Sequence, residues 1–171
     1  MWELAEASLH TEIAQDVRDE AIAIADAERS RMRLAAGLRA GACASLVCHG
    51  GFACRGHVLD VGADWVLISG EQREVSHVQL STVMRAQGLQ HRLPDEGAHP
   101  AVASTWTQAL RGLVAQQPGV VRLAMIDGWT VRAALNFAGS DFLRVEHDGG
   151  QSDLAMSAIS AIAVPAMRLP G

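Results

Sequence analysis

The sequence lacks lysine and tyrosine altogether, and it has only seven aromatic residues and three cysteines. All 14 basic residues are therefore arginine, and 19 carboxylates give a formal net charge of -5. Because binding nucleic acid by charge alone needs an excess of cations, this chain is a poor candidate for a protein that coats nucleic acid. A hydrophobic fraction of 49% excludes a wholly disordered chain, and 171 residues fit one ordinary domain or two very small ones.

Signals for export or membrane insertion are missing as well. Residues 1–6 are acidic where a signal peptide would be basic, and the most apolar tract, residues 154–167, is shorter than the roughly 20 residues of a membrane span. The cysteines, Cys43, Cys48 and Cys54, are odd in number, which suits a reducing compartment better than a disulfide framework. We expect a cytoplasmic protein that does not contact a membrane.

Motifs of the common enzyme classes are also absent. The sequence contains no Gly-x-Ser-x-Gly, no Gly-x-Gly-x-x-Gly and no P-loop, so neither a nucleophile elbow nor a nucleotide cradle has support. Cys48, His49, Cys54 and His57 are of metal-ligand types, but the cysteines are spaced too widely for a zinc-binding turn. We predict a protein that is not an enzyme and has no cofactor and no metal, with the cysteines as small apolar packing residues.

Residues 1–40 have the pattern of a long helix. Apolar residues from Leu9 to Leu38 recur at intervals of three or four, no proline interrupts them, and Gly41 offers a C-terminal stop. An acidic first part is followed by four arginines: Arg29, Arg31, Arg33 and Arg39. These arginines either contact nucleic acid or form the solvated end of a helix whose dipole favours cations there, and the second interpretation is the simpler one.

Strand-like patterns occupy residues 45–85 and resume near residue 120. Between them, residues 87–100 contain two glycines and two prolines, as a linker does, and an amphipathic helix is predicted from about Ala101 to Gln116. The predicted organisation is an N-terminal helix over 1–40, a first β unit over 41–86, a linker over 87–100, and a helix with a second β unit over 101–171.

The two β regions resemble each other. Residues 46–68 align with residues 123–145 at an offset of 77 without a gap. The identical residues are Leu46, Gly51, Arg55, Gly62 and Asp64 in the first copy, and Leu123, Gly128, Arg132, Gly139 and Asp141 in the second. In each copy the first glycine marks a hairpin turn, and the Gly-x-Asp element marks a turn before a third strand at residues 65–68 or 142–145. We predict an internal duplication whose copies pack together and pair their edge strands.

The first copy resembles the first motif of Sm and Sm-like (LSm, Hfq-type) proteins. The residues that carry the resemblance are Leu46, Val47, Gly51, Gly56, Val58, Asp60, Gly62, Asp64, Trp65, Val66 and Ile68. The second copy resembles the motif less, since Ala133 and Phe137 replace Gly56 and Asp60. The resemblance implies a mainly β fold with helices (α+β): two bent, five-stranded Sm-like or SH3-like barrels, each preceded by a helix, the first helix long. It also implies assembly through edge strands and, in many members, RNA binding.

The chain departs from the family at the positions that bind RNA. Asp64 and Asp141 stand where the family's uridine-binding loop usually has asparagine, and residues 78–83 and 154–159 lack the family's pore cations. An added carboxylate and a missing cation both repel phosphate. We therefore predict a non-catalytic binding or scaffold protein whose ligand is another protein, or a second copy held through the N-terminal helix or the barrel edges. An RNA-binding regulator is the alternative.

Four further residues are candidate contacts for either ligand. Arg55 and Arg132 occupy equivalent strand positions, and Phe52 and Trp129 directly follow the hairpin glycines. The arginines are otherwise surface residues whose stems cover apolar neighbours, and the aromatic residues could instead pack beneath the N-terminal helix.

Overall fold

The computed structural model describes residues 34–38, 40–70, 74–90 and 103–165; the remaining residues lie outside the described part of the chain. The first half, residues 34–90, contains helix α1 (Leu34–Gly37) and strands β1 (Cys43–Cys48), β2 (Ala53–Val61), β3 (Trp65–Gly70), β4 (Glu74–Gln79) and β5 (Val83–Gln87). The second half, residues 103–165, contains helix α2 (Trp106–Gln116) and strands β6 (Val120–Met125), β7 (Thr130–Ala138), β8 (Phe142–His147), β9 (Gly150–Ala155) and β10 (Ile159–Pro165).

The ten strands form one continuous antiparallel sheet in the order β5-β1-β2-β3-β4-β10-β6-β7-β8-β9. The prediction of two separate five-stranded barrels, each preceded by a helix, is therefore wrong. The physical reason is the pairing of β4 with β10, from Glu74 opposite Pro165 to Val78 opposite Ala161, which joins the halves. Residues 159–163 of β10 are all buried, as expected of a strand in the middle of a sheet with a core on each face.

The long first helix is not part of the described structure either. The first described helix is the four-residue α1, Leu38 and Ala40 are described but not helical, and residues 1–33 and 39 of the predicted helix lie outside the described residues. In the described part of the chain, α2 is the one helix longer than four residues. No described helix combines the length and the apolar character that crossing a membrane requires.

Within the single sheet, the two halves repeat one pattern. β1, β2 and β3 begin 77 residues before β6, β7 and β8, whereas β4 and β5 begin 76 residues before β9 and β10. The second strand of each half carries an irregularity at the same place, between Val58 and Asp60 and between Leu135 and Phe137. The correspondence allows any residue of one half to be compared with its counterpart in the other.

Two hydrophobic cores lie on the two sides of the β4–β10–β6 junction, which we call the seam. Val121, Leu123 and Met125 of β6 belong to the second core, whereas Ala124 belongs to the first. On β10, Ile162 faces the second core and Ala161 the first. Because successive side chains of a strand point to opposite faces, the seam strands supply both cores at once.

Helix α2 covers the second core and has well-defined ends. Thr105 accepts a hydrogen bond from the Gln108 backbone N–H, and the Gln108 side chain accepts one from the Thr105 N–H, which forms a capping box. This cap explains why the helix begins at Trp106 rather than near Ala101. Leu110 and Leu113 are buried beneath the helix, and Gln117 ends it in the left-handed conformation at φ 48°.

Candidate functional site

The predicted turn glycines are required by the local structure. Gly51 and Gly128 have φ values of 82° and 93°, which only glycine adopts without strain. Gly62 and Gly139 are constrained differently: a Cβ at either position would overlap the ring of the aromatic residue three positions later, Trp65 or Phe142. The Gly-x-Asp-aromatic element thus has a structural explanation in both halves.

Asp64 attaches the first half to helix α2. Its carboxylate accepts a hydrogen bond from the Trp106 backbone N–H at 2.5 Å, at the first turn of α2. Beside it, the Trp65 indole donates to the Ser104 carbonyl oxygen at 2.9 Å. A carboxylate is favoured at a helix N-terminus because the unpaired N–H groups and the helix dipole both attract it. The aspartate of the first Gly-x-Asp element therefore has a structural role, which the sequence alone did not reveal.

Asp141, the counterpart of Asp64, has no such partner among the described residues. Its backbone oxygen accepts the Met156 N–H at 2.8 Å, as the Asp64 oxygen accepts the Leu80 N–H at 2.8 Å. Its exposed carboxylate contacts the Ser140 hydroxyl at 3.2 Å. The two loops therefore share a backbone arrangement, but one carboxylate is engaged and the other faces solvent.

Two of the predicted contact residues, Phe52 and Arg55, line a groove of about 560 Å³ beside the seam. The groove, called the seam groove below, is lined by residues 52–55, Gly70, Glu74, Ser76 and Arg122. Arg122 comes from β6 and completes the groove from the second half. Comparison of the two halves of the sequence did not identify Arg122, because its counterpart in the first half is Ser45 and the internal repeat gives no signal at this position.

Charge and aromatic contacts hold the Arg122 side chain in the seam groove. Its Nη2 donates to the Glu74 carboxylate at 2.7 Å, and its guanidinium carbon lies 5.7 Å from the centre of the Phe52 ring. In the sheet register, Arg122 lies directly opposite Arg132. Two like charges at such a pair repel, so Glu74 offsets a repulsion that β6 and β7 would otherwise carry.

Trp129 and Arg132 are placed in the second half and do not line the seam groove. Trp129 is exposed at the β6–β7 hairpin, and its ring lies 5.5 Å from that of His147 at an interplanar angle of 71°. The four remaining candidates, Arg29, Arg31, Arg33 and Arg39, lie outside the described residues.

Cys48 is buried and Cys54 is half-buried, as packing residues are, whereas Cys43 is exposed. Burial raises the pKa of the Cys48 thiol, and burial together with the neighbouring Cys48 raises the pKa of Cys54 to about 12. A thiol with a raised pKa is a poor nucleophile because the thiolate is the reactive form. Within the described ranges, no group of three or more His, Cys, Asp or Glu side chains is arranged to hold a metal ion.

The two ends of the sheet are open among the described residues. β5 pairs only with β1, and β9 pairs only with β8. β5 is the counterpart of β10 and β9 is the counterpart of β4, so the two open edges correspond to the two strands that pair at the seam. Met84 on β5 is 63% exposed, whereas Ser160, its counterpart on β10, is fully buried.

No family model matches the chain, and no curated protein matches it either. The resemblance to Sm-like proteins therefore rests on the motif residues and stays a prediction.

Proposed function

We propose that this protein is a non-catalytic scaffold that binds further copies of itself through the two open edges of its sheet. The observation that carries the proposal is the seam: β4 and β10 pair within the chain, and their counterparts β9 and β5 are left at the ends. An edge strand presents unpaired backbone N–H and C=O groups, which a matching strand of another chain can satisfy.

The seam also predicts the register of the contact between copies. Ser76 lies opposite Ala163 at the seam, so Ser152 of one copy should lie opposite Gln87 of the next. Met84 would then become covered as Ser160 is covered at the seam. Because the two edges differ, the contact is head-to-tail, and such contacts generate a closed ring or an open filament.

An experiment with paired cysteines tests both the contact and its register. The full chain would carry Cys43→Ser, which removes the exposed thiol, together with Ser152→Cys and Gln87→Cys. Mild oxidation should produce a ladder of covalent multimers on a denaturing gel, because paired residues across two strands lie within the roughly 4.4–6.8 Å between Cα atoms that a disulfide spans.

The matched control moves one cysteine by one residue, to Ala86→Cys with Ser152→Cys. A one-residue shift places the two thiols on opposite faces of the sheet, so the ladder should disappear. Equal cross-linking in the two variants, or a monomer in both, would contradict the proposal. Nuclease treatment should leave the ladder unchanged, since the contact is made by protein backbone.

The RNA-binding alternative has less support among the described residues. Asp64 is engaged at the N-terminus of α2, and Arg122 and Arg144 are paired with Glu74 and Asp153. Binding to U-rich or A-rich single strands that weakens steeply with salt would favour that alternative.

As part of the same proposal, we place the protein in the cytoplasm. Cys43, Cys48 and Cys54 are all free thiols. Free thiols suit a reducing compartment, where glutathione and thioredoxin keep cysteines unpaired.

A further inference from the structure

The seam groove is open in the first half, whereas its counterpart in the second half is filled by a side chain. Gly70 in the groove corresponds to His147, and Phe52 and Ser76 correspond to Trp129 and Ser152. The His147 ring lies edge-on to Trp129 at 5.5 Å, and its Nε2 is 2.9 Å from the Ser152 hydroxyl. The first half keeps the aromatic residue and the serine, but Gly70 has no side chain to place between them, and the Arg122 guanidinium borders the Phe52 ring at 5.7 Å.

The second half thus indicates what shape the open groove accepts. A planar heteroaromatic ring fits there, edge-on to an aromatic residue, with a ring nitrogen on the serine hydroxyl. In the first half, the corresponding contacts would come from Phe52 and Ser76, both of which are buried residues of the groove wall.

Charge distinguishes the seam groove from its filled counterpart. Two arginines, Arg55 and Arg122, and one carboxylate, Glu74, line the groove. Arg122 uses Nη2 to pair with Glu74, which leaves other N–H donors of its guanidinium for a ligand. No described residue forms an ion pair with Arg55. The excess positive charge favours an anionic group, and the planar fork of arginine matches a carboxylate.

We propose that the seam groove binds a small planar heteroaromatic carboxylate. Its ring would occupy the space that His147 fills in the second half, and its carboxylate would contact Arg55 and Arg122. The groove is partly open to solvent, and its volume of about 560 Å³ is more than a single ring requires. This site lies within one chain, so it is independent of the proposed assembly.

The test uses imidazole-4-carboxylate as a probe, titrated into the full chain and followed by the backbone amide resonances of Gly70 and Ser76. We expect saturable shifts at these amides. Imidazole-4-carboxamide has the same shape without the charge, and we expect it to bind at least about tenfold more weakly, because charge-assisted hydrogen bonds are the stronger kind. Inorganic phosphate, which has no ring, should also bind more weakly than the carboxylate probe.

Variants at Gly70 supply the matched comparison. Gly70→His should abolish binding by filling the groove as His147 fills its counterpart. Gly70→Ala should retain binding, since a Cβ at this position meets only the Glu74 carbonyl oxygen at 3.4 Å. Arg55→Gln should weaken binding about tenfold.

Three outcomes would overturn the proposal. They are an unchanged affinity in Gly70→His, equal affinities for the carboxylate and carboxamide probes, and shifts that do not saturate by about 10 mM probe, which is weaker than a specific small ligand reaches. The amide spectrum of Gly70→His is recorded as well, so that loss of binding is read only from a folded chain.

Discussion

His77 is a partly buried titratable side chain whose cross-strand neighbours are apolar. It lies on β4 opposite Leu67 of β3 and Ile162 of β10, and its ring stacks on Trp65 at 5.9 Å. No described residue bonds its Nδ1 atom, which is shielded from solvent. Burial lowers the pKa of His77 to about 4, because an imidazolium in these surroundings would lose its hydration.

The lowered pKa makes the folded state sensitive to acid. The unfolded chain binds a proton at His77 near pH 6.5 and the folded chain only near pH 4, so stability is full above pH 6.5 and is lost as the pH falls through this window. The difference between the pKa values of His77 in the unfolded and folded chain corresponds to about 3 kcal/mol in the free energy of unfolding. His77→Phe keeps a stacked ring without a titrating group.

Urea denaturation of the wild type and of His77→Phe at pH 7 and at pH 4 measures this effect. Between pH 7 and pH 4, the free energy of unfolding of the wild type should fall by up to about 3 kcal/mol more than that of the variant. The same loss in both proteins would show that His77 is not the group responsible.

At the scale of single elements, the loop between the second and third strands attaches a helix in one half and not in the other. Asp64 accepts the Trp106 N–H of α2, whereas the carboxylate of Asp141 touches only Ser140 among the described residues. The same aspartate in the same loop therefore contributes differently to the stability of the two halves.

This difference predicts unequal effects of one substitution at the two positions. Asp64→Ala should lower the free energy of unfolding by about 1–2 kcal/mol, because it leaves the Trp106 N–H without its acceptor at the helix N-terminus. Asp141→Ala should change it by less than about 0.5 kcal/mol, as expected for an exposed residue. Chemical denaturation measures both values, and equal losses would contradict the assigned role of Asp64.

Local pattern was enough to place individual elements but not their partners. The predicted third strands, residues 65–68 and 142–145, lie inside β3 and β8, and the predicted helix over 101–116 contains α2. Hairpin glycines and apolar alternation act within a few residues, so they are visible in a sequence. The internal repeat predicted that the two copies pair edge strands, but the pairing of β4 with β10 in particular joins strands that are far apart along the chain, and no local pattern encodes it. The Arg122–Glu74 ion pair and the Asp64 contact follow from such long-range packing and were missed for the same reason.

At the scale of the whole molecule, the seam makes the two halves depend on each other. Its strands contribute alternate side chains to both cores, so neither core is complete without the other half. Loss of the first half would expose Ala124 and Ala161, which pack in the first core, and loss of the second half would expose Trp65, which packs in the second core. We therefore expect the described part of the chain to unfold in a single cooperative transition.

A substitution far from the seam tests this cooperativity. Leu46 on β1 is fully buried in the first core. Leu46→Ala should lower the free energy of unfolding by about 2–5 kcal/mol, because burial is lost and a cavity is left behind. Hydrogen exchange would be measured at the slowest-exchanging backbone amides of β2, which report on the first half, and of β8, which report on the second. If the halves unfold together, the free energy of exchange falls equally in both places, because both report global unfolding.

Leu59→Ala, at a half-exposed position on β2, is the control, and it should leave the free energy of exchange nearly unchanged in both halves. A loss of protection confined to the first half would mean that the seam joins the strands without coupling their stability, and the two cores would then have to be treated as separate folding units.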